Sequence, residues 1–256
     1  MASRRVLSVV TLLLPAATVA AVLADGPRTT TQTCTTVLES KVCAWVTMEG
    51  GNPVEVGATV PMSLIESVPA EAPMVWPPEE LADIALPAEA RALGIDHLGI
   101  NWEAHGHPPA TFMTPHFDFH FYNVSAASVG AIDCSDLSKP SSLPAGYALP
   151  DIAIPDMGTL VGLCVPRMGM HAMPAADTEA ADAFGASMIL GYYGGSPIFF
   201  EPMVSQKLLL SGKDFTLPVP AVKGLPAGVR YPRALHATYD SKNREYRLVA
   251  SGFGSR

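Results

Sequence analysis

The stretch HFDFHFY, His116–Tyr122, alternates polar and aromatic side chains, and this alternation limits the possible folds more than any other feature. A period of two predicts a β-strand, because successive side chains of a strand point to opposite faces. A helix capped by Thr114 is the alternative, but the aromatic composition favours the strand. The predicted strand puts Phe117, Phe119 and Phe121 in a core and groups His116, Asp118 and His120 on the other face.

The rest of the chain also has the composition of a β protein. Its 24 prolines and 21 glycines predict many short connections, which suit a β-rich fold better than a helical bundle. The turn sequences at Gly50–Pro53, Gly194–Gly195 and Asp240–Asn243 lie between β-forming runs and predict hairpins. The segment PPEELADIALPAEARALGI predicts one or two short helices, interrupted by Pro87. We expect a mostly β single domain, a sandwich or barrel-like fold, with a few short helices and long proline-rich loops.

Residues 1–24 are typical of an export signal. A short basic segment, MASRR, precedes an apolar segment that ends with the small residues Val22 and Ala24. We expect cleavage after Ala24; an uncleaved anchor is the alternative, because the apolar segment is near spanning length. The two arginines also fit a twin-arginine signal loosely, so the export route stays open. Residues 25–33 would then be a flexible leader, and residues 34–256 one β-rich domain of a secreted or periplasmic protein.

The cysteines support export. All four lie beyond the predicted signal, and an even number in an exported chain indicates disulfides. Of the three pairings we favour Cys34–Cys43, which would close an N-terminal hairpin, together with Cys134–Cys164. Four free thiols are the alternative. No CxxC motif occurs, so a cysteine zinc site is not expected.

The charge balance restricts the partners. A net charge of −8 argues against nucleic acid as a partner. Beyond the signal no segment is long and apolar enough to span a membrane, so we expect no span after cleavage. A homo-oligomer and a small-molecule ligand of unknown class remain open.

The histidines indicate a metal site. Four of the seven fall within the 16 residues from His105 to His120, and imidazole and carboxylate are the usual ligands of zinc, iron, manganese and copper. On a flat strand the histidines at 116 and 120 lie about 13 Å apart, too far to share one ion comfortably. Further ligands must therefore come from HGHPP, PRMGMH and FFEPM. The candidate ligands are His107, His116, His120, His171, Asp118 and Glu201.

The motifs GHPP, PHFDFHFY, MGMH and FFEPM resemble the exported proteins of the TTHB210-like domain family. The resemblance extends over roughly residues 95–210. It implies a mostly β, single-domain, extracytoplasmic protein, and it supplies no reaction.

These observations leave three classes of function. The first is a metal site with a divalent ion held by histidine and carboxylate. The second is a non-enzymatic binding or assembly protein in which the same residues form a structural hydrogen-bond network, with Glu201 paired to Arg167. A ligand-binding barrel without metal is a third reading. Neither a GxSxG nor an HExxH motif occurs, so the residues do not decide whether the chain is an enzyme.

Overall fold

The computed structural model describes residues 26–73, 75–154, 158–178 and 184–254. The predicted export signal lies outside these residues and stays a prediction. Fifteen strands occur in the described ranges: β1 (Arg28–Val37), β2 (Ser40–Glu49), β3 (Asn52–Pro61), β4 (Glu80–Ala85), β5 (His97–Glu103), β6 (His116–Tyr122), β7 (Tyr147–Ala148), β8 (Ile152–Ile154), β9 (Gly158–Leu160), β10 (Met170–Pro174), β11 (Ala186–Tyr193), β12 (Ser196–Ser205), β13 (Phe215–Pro218), β14 (Ala234–Asp240) and β15 (Glu245–Ser251).

Helices are few and short, as expected. The α-helices in the described ranges are α1 (Met62–Ser67), α2 (Ala126–Gly130) and α3 (Gln206–Leu210). Short 3-10 helices span Ala88–Leu93, Ala110–Phe112, Val161–Leu163 and Ala175–Thr178. No helix among the described residues has both the length and the apolar character needed to cross a membrane.

The first sheet has six antiparallel strands in the order β1-β2-β3-β15-β14-β13. Gly50 and Gly51, both with positive φ, form the predicted turn between β2 and β3. The prediction of a flexible leader over residues 25–33 is wrong, because the chain from Arg28 onward pairs with β2. This half of β1 is polar because it is an edge strand exposed on both faces, so it lacks the apolar alternation that identifies a strand.

The second sheet has seven strands in the order β4-β5-β6-β12-β11-β10-β7, and β8 and β9 form a small separate pair. The first half of the predicted helical segment is instead the strand β4, antiparallel to β5. Its residues favour a helix, but backbone hydrogen bonding to the edge of β5 determines its conformation. Only the part after Pro87 is helical, as the 3-10 helix Ala88–Leu93, which ends at Gly94 with a φ of 74°.

The two sheets face each other across the main core, so the fold is the sandwich of the two predicted alternatives. Core residues from the first sheet include Val46 and Leu248, and those from the second include Phe117, Phe119 and Phe121. The predicted alternation of β6 is therefore confirmed. Its phenylalanines lie between the sheets, and its polar residues lie on what we call the outer face, the side of the second sheet remote from the first.

The outer face is not open to solvent. A second apolar cluster covers it, formed by the strands of that sheet together with the segments that connect them. Its buried members are Phe112, Tyr122, Val129, Ile132, Leu163, Met173, Ile189, Ile198, Phe199 and Met203. All seven residues of β6 are consequently buried. Polar side chains on this face are enclosed in apolar surroundings, where they need a partner.

Both predicted disulfides are present. Cys34 and Cys43 face each other across the β1–β2 hairpin, with their Cα atoms 4.0 Å apart. Cys134 and Cys164 have Cα atoms 5.9 Å apart and tie together two of the segments that cover the outer face. All four cysteines lie in the described ranges and are disulfide-bonded, so the alternative of four thiols is wrong.

Candidate metal centre

Strand β6 places three candidate ligands in the centre of the outer face. His116, Asp118 and His120 are 0%, 4% and 1% exposed. On the neighbouring strand β5, Glu103 pairs with the first of them, Asn101 with the second and Gly99 with the third. The period of two that buries the phenylalanines on one side thus lines up the polar groups on the other.

The first trio is His107, His116 and Asp118, whose ligand atoms lie within 4.8 Å of one another. His116 Nε2 is 3.3 Å from Asp118 Oδ1, and His107 Nε2 is 4.0 Å from Asp118 Oδ2. His107 lies after β5, just before the 3-10 helix Ala110–Phe112. Its side chain is 29% exposed, which puts this trio at the edge of the covered region.

The second trio is His120, His171 and Glu201, with ligand atoms that also lie within 4.8 Å of one another. These residues come from β6, β10 and β12, three different strands of one sheet. His120 Nε2 is 3.6 Å from Glu201 Oε2, and the rings of His120 and His171 are 6.0 Å apart at their centroids. His116 and His120 thus fall into different trios, as their spacing on a strand requires.

Three of the four histidines are held by the same kind of hydrogen bond. A backbone carbonyl can only accept, so in each case Nδ1 carries the proton and Nε2 keeps a free lone pair. This arrangement is usual for metal-bound histidine, whose second nitrogen donates to a carbonyl or carboxylate. The pairs are His107 with Pro108 at 2.9 Å, His116 with Thr114 at 2.7 Å and His171 with Leu163 at 3.0 Å.

Several polar atoms of the trios lack hydrogen-bond partners in the protein. Buried side-chain atoms are nearly always hydrogen-bonded, so such a concentration needs an explanation. A structural hydrogen-bond network would satisfy its own members, whereas a metal ion in each trio would bind the carboxylate oxygen and one ring nitrogen of each histidine. Among the described residues, the atoms of the trios without a partner are His116 Nε2, Asp118 Oδ1, His120 Nδ1, His120 Nε2 and Glu201 Oε2.

Burial keeps the imidazoles neutral. It lowers the pKa of His116 to about 3, helped by the nearby His107. Burial likewise lowers the pKa of His171 to about 4 and that of His120 well below its ordinary value, with His171 adding to the effect. Neutral imidazole is the form that binds metal ions, so these side chains are ready to act as ligands at neutral pH.

Burial has the opposite effect on the carboxyl groups. It raises the pKa of Asp118 and of Glu201 well above their ordinary values, and the charge of Glu103 adds to both shifts. The pKa of Glu103 itself is raised to about 7 by burial. Three carboxyl groups close together in an apolar enclosure repel one another when ionised. A cation between them removes that repulsion.

A cavity of about 410 Å³ leads to both trios. Asp118 and His107 of the first trio and His171 and Glu201 of the second line it, and so does Glu103. The two groups of ligands therefore open onto one space, from which a small molecule could approach either of them.

All six predicted ligand residues lie on this face, three in each trio. His105 lies apart, with its Nε2 bonded to the carbonyl of Ala72 at 2.9 Å. The alternative partner for Glu201 is wrong, because Arg167 lines a different cavity beside Glu80, and His120 faces Glu201 instead.

Sequence reasoning missed Glu103. It follows Gly99 and Asn101 at every second position of β5, so it shares their face and lies across from His116. The signal was available, since HLGINWE alternates apolar residues with small or polar ones as β6 does. It is weaker because a glycine and an asparagine stand where β6 has ionisable residues.

Comparison with protein families gives a match. Residues 49–102 match the TTHB210-like family, described as "Hypothetical protein TTHB210". The matched segment runs from the end of β2 to β5 and is about a fifth of the 256 residues. The resemblance to this family is confirmed over the matched segment, which overlaps the expected range of 95–210 at residues 95–102. The histidine motifs on which it was based all follow the matched segment.

No curated protein matches the chain. No solved structure matches it either.

Proposed function

We propose that this chain is an exported protein that binds two divalent metal ions, one in each trio on the outer face of its second sheet. The observation that carries the proposal is the set of unpartnered nitrogen and oxygen atoms in the trios. Two imidazoles and one carboxylate in each trio suit zinc, iron, manganese or copper. The predicted signal and the disulfides support export, because disulfides persist in oxidising compartments.

The number of ligands favours a reactive site over a structural one. Structural zinc has four protein ligands, whereas catalytic zinc has three and an open position for water or substrate. Each trio offers three, and both open onto the same cavity. A metal bound in this way lowers the pKa of a coordinated water and makes it a nucleophile near neutral pH. The protein's own contribution is the neutral imidazoles, the fixed Nδ1 protons and the apolar cover that excludes bulk water.

Elemental analysis of the protein exported by its own host tests the proposal. We expect two equivalents of transition metal per chain. His116→Ala and His120→Ala should each reduce the content to one equivalent, since each removes a ligand from a different trio. His236→Ala is the matched control, because this exposed strand histidine bonds to Thr216 away from the outer face.

Two results would count against the proposal. Wild-type protein without stoichiometric metal after export would overturn it. If the wild type contained no metal and the variants His116→Ala and His120→Ala also failed to fold, the same residues would form a structural hydrogen-bond network. Circular dichroism and thermal unfolding of each variant separate loss of metal from loss of fold.

A further inference from the structure

The cavity above the trios has an apolar wall opposite its polar end. The wall comes from the loop that precedes β4 and from the segments that cover the outer face. Its apolar residues are Val75, Trp76, Pro78, Pro108, Met113, Ile154, Leu160, Leu163, Val165 and Met168. The volume of about 410 Å³ lies in the range of small-molecule sites, about 300–1,000 Å³.

Large apolar side chains at the mouth of this cavity are exposed. Val75, Trp76 and Met113 are 46%, 45% and 54% exposed, and all three line this cavity. They are half of the six exposed large hydrophobic residues in the described part of the chain. Exposed apolar surface concentrated at one site marks a place where an apolar ligand or partner binds.

The charge at the inner end indicates the head group of such a ligand. Two divalent ions would carry four positive charges against the three carboxylates Glu103, Asp118 and Glu201, leaving one positive charge in excess. Each ion would also keep an open coordination position facing the cavity. An anionic oxygen donor balances the charge and fills that position, since carboxylate oxygens are ligands for all the candidate metals.

We propose, on the basis of the proposed metal function, that this cavity binds a small monocarboxylate with an apolar tail. The carboxylate head coordinates an ion held by one of the trios, and the tail lies along the apolar wall toward Trp76 and Met113. The tail is a short aliphatic chain or an aromatic ring, because the lining residues outside the trios and Glu103 are apolar or glycine. The site thus discriminates by tail length and by the presence of the anionic head.

Isothermal titration of the metal-loaded protein with butanoate, hexanoate and octanoate tests the tail. We expect about a fourfold gain in affinity for each added methylene, the value for full burial of a CH₂ group. Trp76→Ala and Met113→Ala should weaken octanoate binding by about fourfold or more and leave butanoate binding unchanged. Leu137→Ala is the matched control, because Leu137 is 48% exposed and lies outside this cavity.

A second titration tests the head. 1-Octanol, which has a similar chain without the charge, should bind the metal-loaded protein at least about tenfold more weakly than octanoate. The preference should disappear after chelation, because the anion then meets only the protein's own carboxyl groups. Metal content is measured on the same samples, so that each failure has its own signature.

The outcomes separate the two proposals. Protein that contains no metal overturns the proposed function and the role of the carboxylate head with it. Protein that holds two ions but binds the three acids equally, or not at all, overturns only the present inference. Octanoate that binds equally well with and without metal overturns the assignment of its head group to the ions.

Discussion

His120 Nε2 lies 3.6 Å from Glu201 Oε2, and both side chains are only 1% exposed. This separation is too long for a hydrogen bond, and neither ring nitrogen of His120 has a partner in the protein. A buried pair of ionisable groups without hydrogen bonds destabilises a fold, because each loses its hydration and gains little in return. A metal ion that binds both atoms reverses the sign of this contribution.

Glu201→Gln tests that sign directly. In metal-free protein we expect the variant to be as stable as the wild type or more stable, by about 1–3 kcal/mol. The advantage should grow with pH, because the pKa of Glu201 is raised in the folded protein. Above pH 4.5 the unfolded wild type has released a proton that the folded wild type still binds, so its stability falls as the pH rises. With metal at about 100 times its dissociation constant the wild type gains about 2.7 kcal/mol per site, which the variant does not gain at the second trio. Urea denaturation with and without chelator measures both.

Glu66→Gln is the control for this experiment. Glu66 is exposed and forms an ion pair with Arg244 at 2.6 Å on the surface. Its substitution should change stability by less than about 1 kcal/mol, and equally with and without metal. A Glu201→Gln variant that behaves in the same way would contradict the prediction.

The difference in pH dependence between metal-free wild type and His116→Gln isolates His116, because the other buried histidines, whose pKa values are lowered as well, are common to both proteins. Its pKa is lowered from 6.5 to about 3 by burial, so between these values the unfolded chain binds a proton that the folded chain does not. Stability is therefore fully present above pH 6.5 and is lost as the pH falls toward 3. His116→Gln should remove this contribution to the pH dependence, which is at most roughly 1.4 kcal/mol per pH unit for one proton.

Urea midpoints between pH 4.5 and 7.5, measured in chelator, give the comparison. The carboxyl groups with raised pKa act in the opposite direction, but they are present in both proteins and cancel in the difference. A difference between wild type and His116→Gln that is constant over this range would show that His116 is not protected from protonation.

Much of the site could be predicted from the sequence, because polar and aromatic residues alternate along its central strand, β6, with the two-residue period of a β-strand. HFDFHFY specifies a strand, a core face and a polar face without reference to the rest of the chain. His107, His171 and Glu201 could be nominated by residue type, but their division into two trios depends on strand order. The neighbours β5 and β12 of β6, and the position of β10, follow from pairing over long sequence separations.

The two wrong predictions about the fold, the flexible leader and the helix in place of β4, have the same physical cause. β1 begins as an exposed edge strand, so threonines and polar residues take the place of an apolar alternation. β4 contains residues that favour a helix, and pairing with β5 overrides them. In both cases the partner strand determines the conformation, and a local pattern carries no information about that partner.

The two disulfides should differ in their contribution to stability and to the site. Cys134–Cys164 closes a separation of 30 residues and Cys34–Cys43 one of 9. Loop entropy then gives a contribution of about 3.6 kcal/mol for the longer link against about 2.6 kcal/mol for the shorter. Denaturant unfolding of the two double Cys→Ser variants measures this difference.

Metal affinity should distinguish the same two variants more strongly. Cys164 follows Leu163, whose carbonyl accepts the Nδ1 proton of His171 at 3.0 Å. Loss of the Cys134–Cys164 link loosens that carbonyl, and loss of such a supporting bond weakens metal binding about 10–100-fold. The Cys34–Cys43 variant should keep wild-type affinity, because its hairpin lies in the other sheet. Equal affinities in the two variants would contradict a role for the Leu163 carbonyl.

Gly191 should prove essential for the second trio through Phe199. A Cβ atom at position 191 would overlap the ring of Phe199, and that ring packs against His120 and His171 with centroids 4.9 Å and 5.3 Å away. Gly191→Ala must therefore displace a ring that contacts both histidines. We expect a loss of about 1–3 kcal/mol in stability and loss of one metal ion, with the ion of the first trio retained.

A compensating substitution makes this prediction specific. Phe199→Ala removes all of the overlapping ring atoms, so in the Phe199→Ala background Gly191→Ala should cause little further loss of stability or of metal content. Gly130→Ala is the matched control, because a Cβ atom at the end of α2 meets no atom within 4 Å and should leave both unchanged. Effects of Gly191→Ala and Phe199→Ala that simply add would show that the two positions do not act on each other.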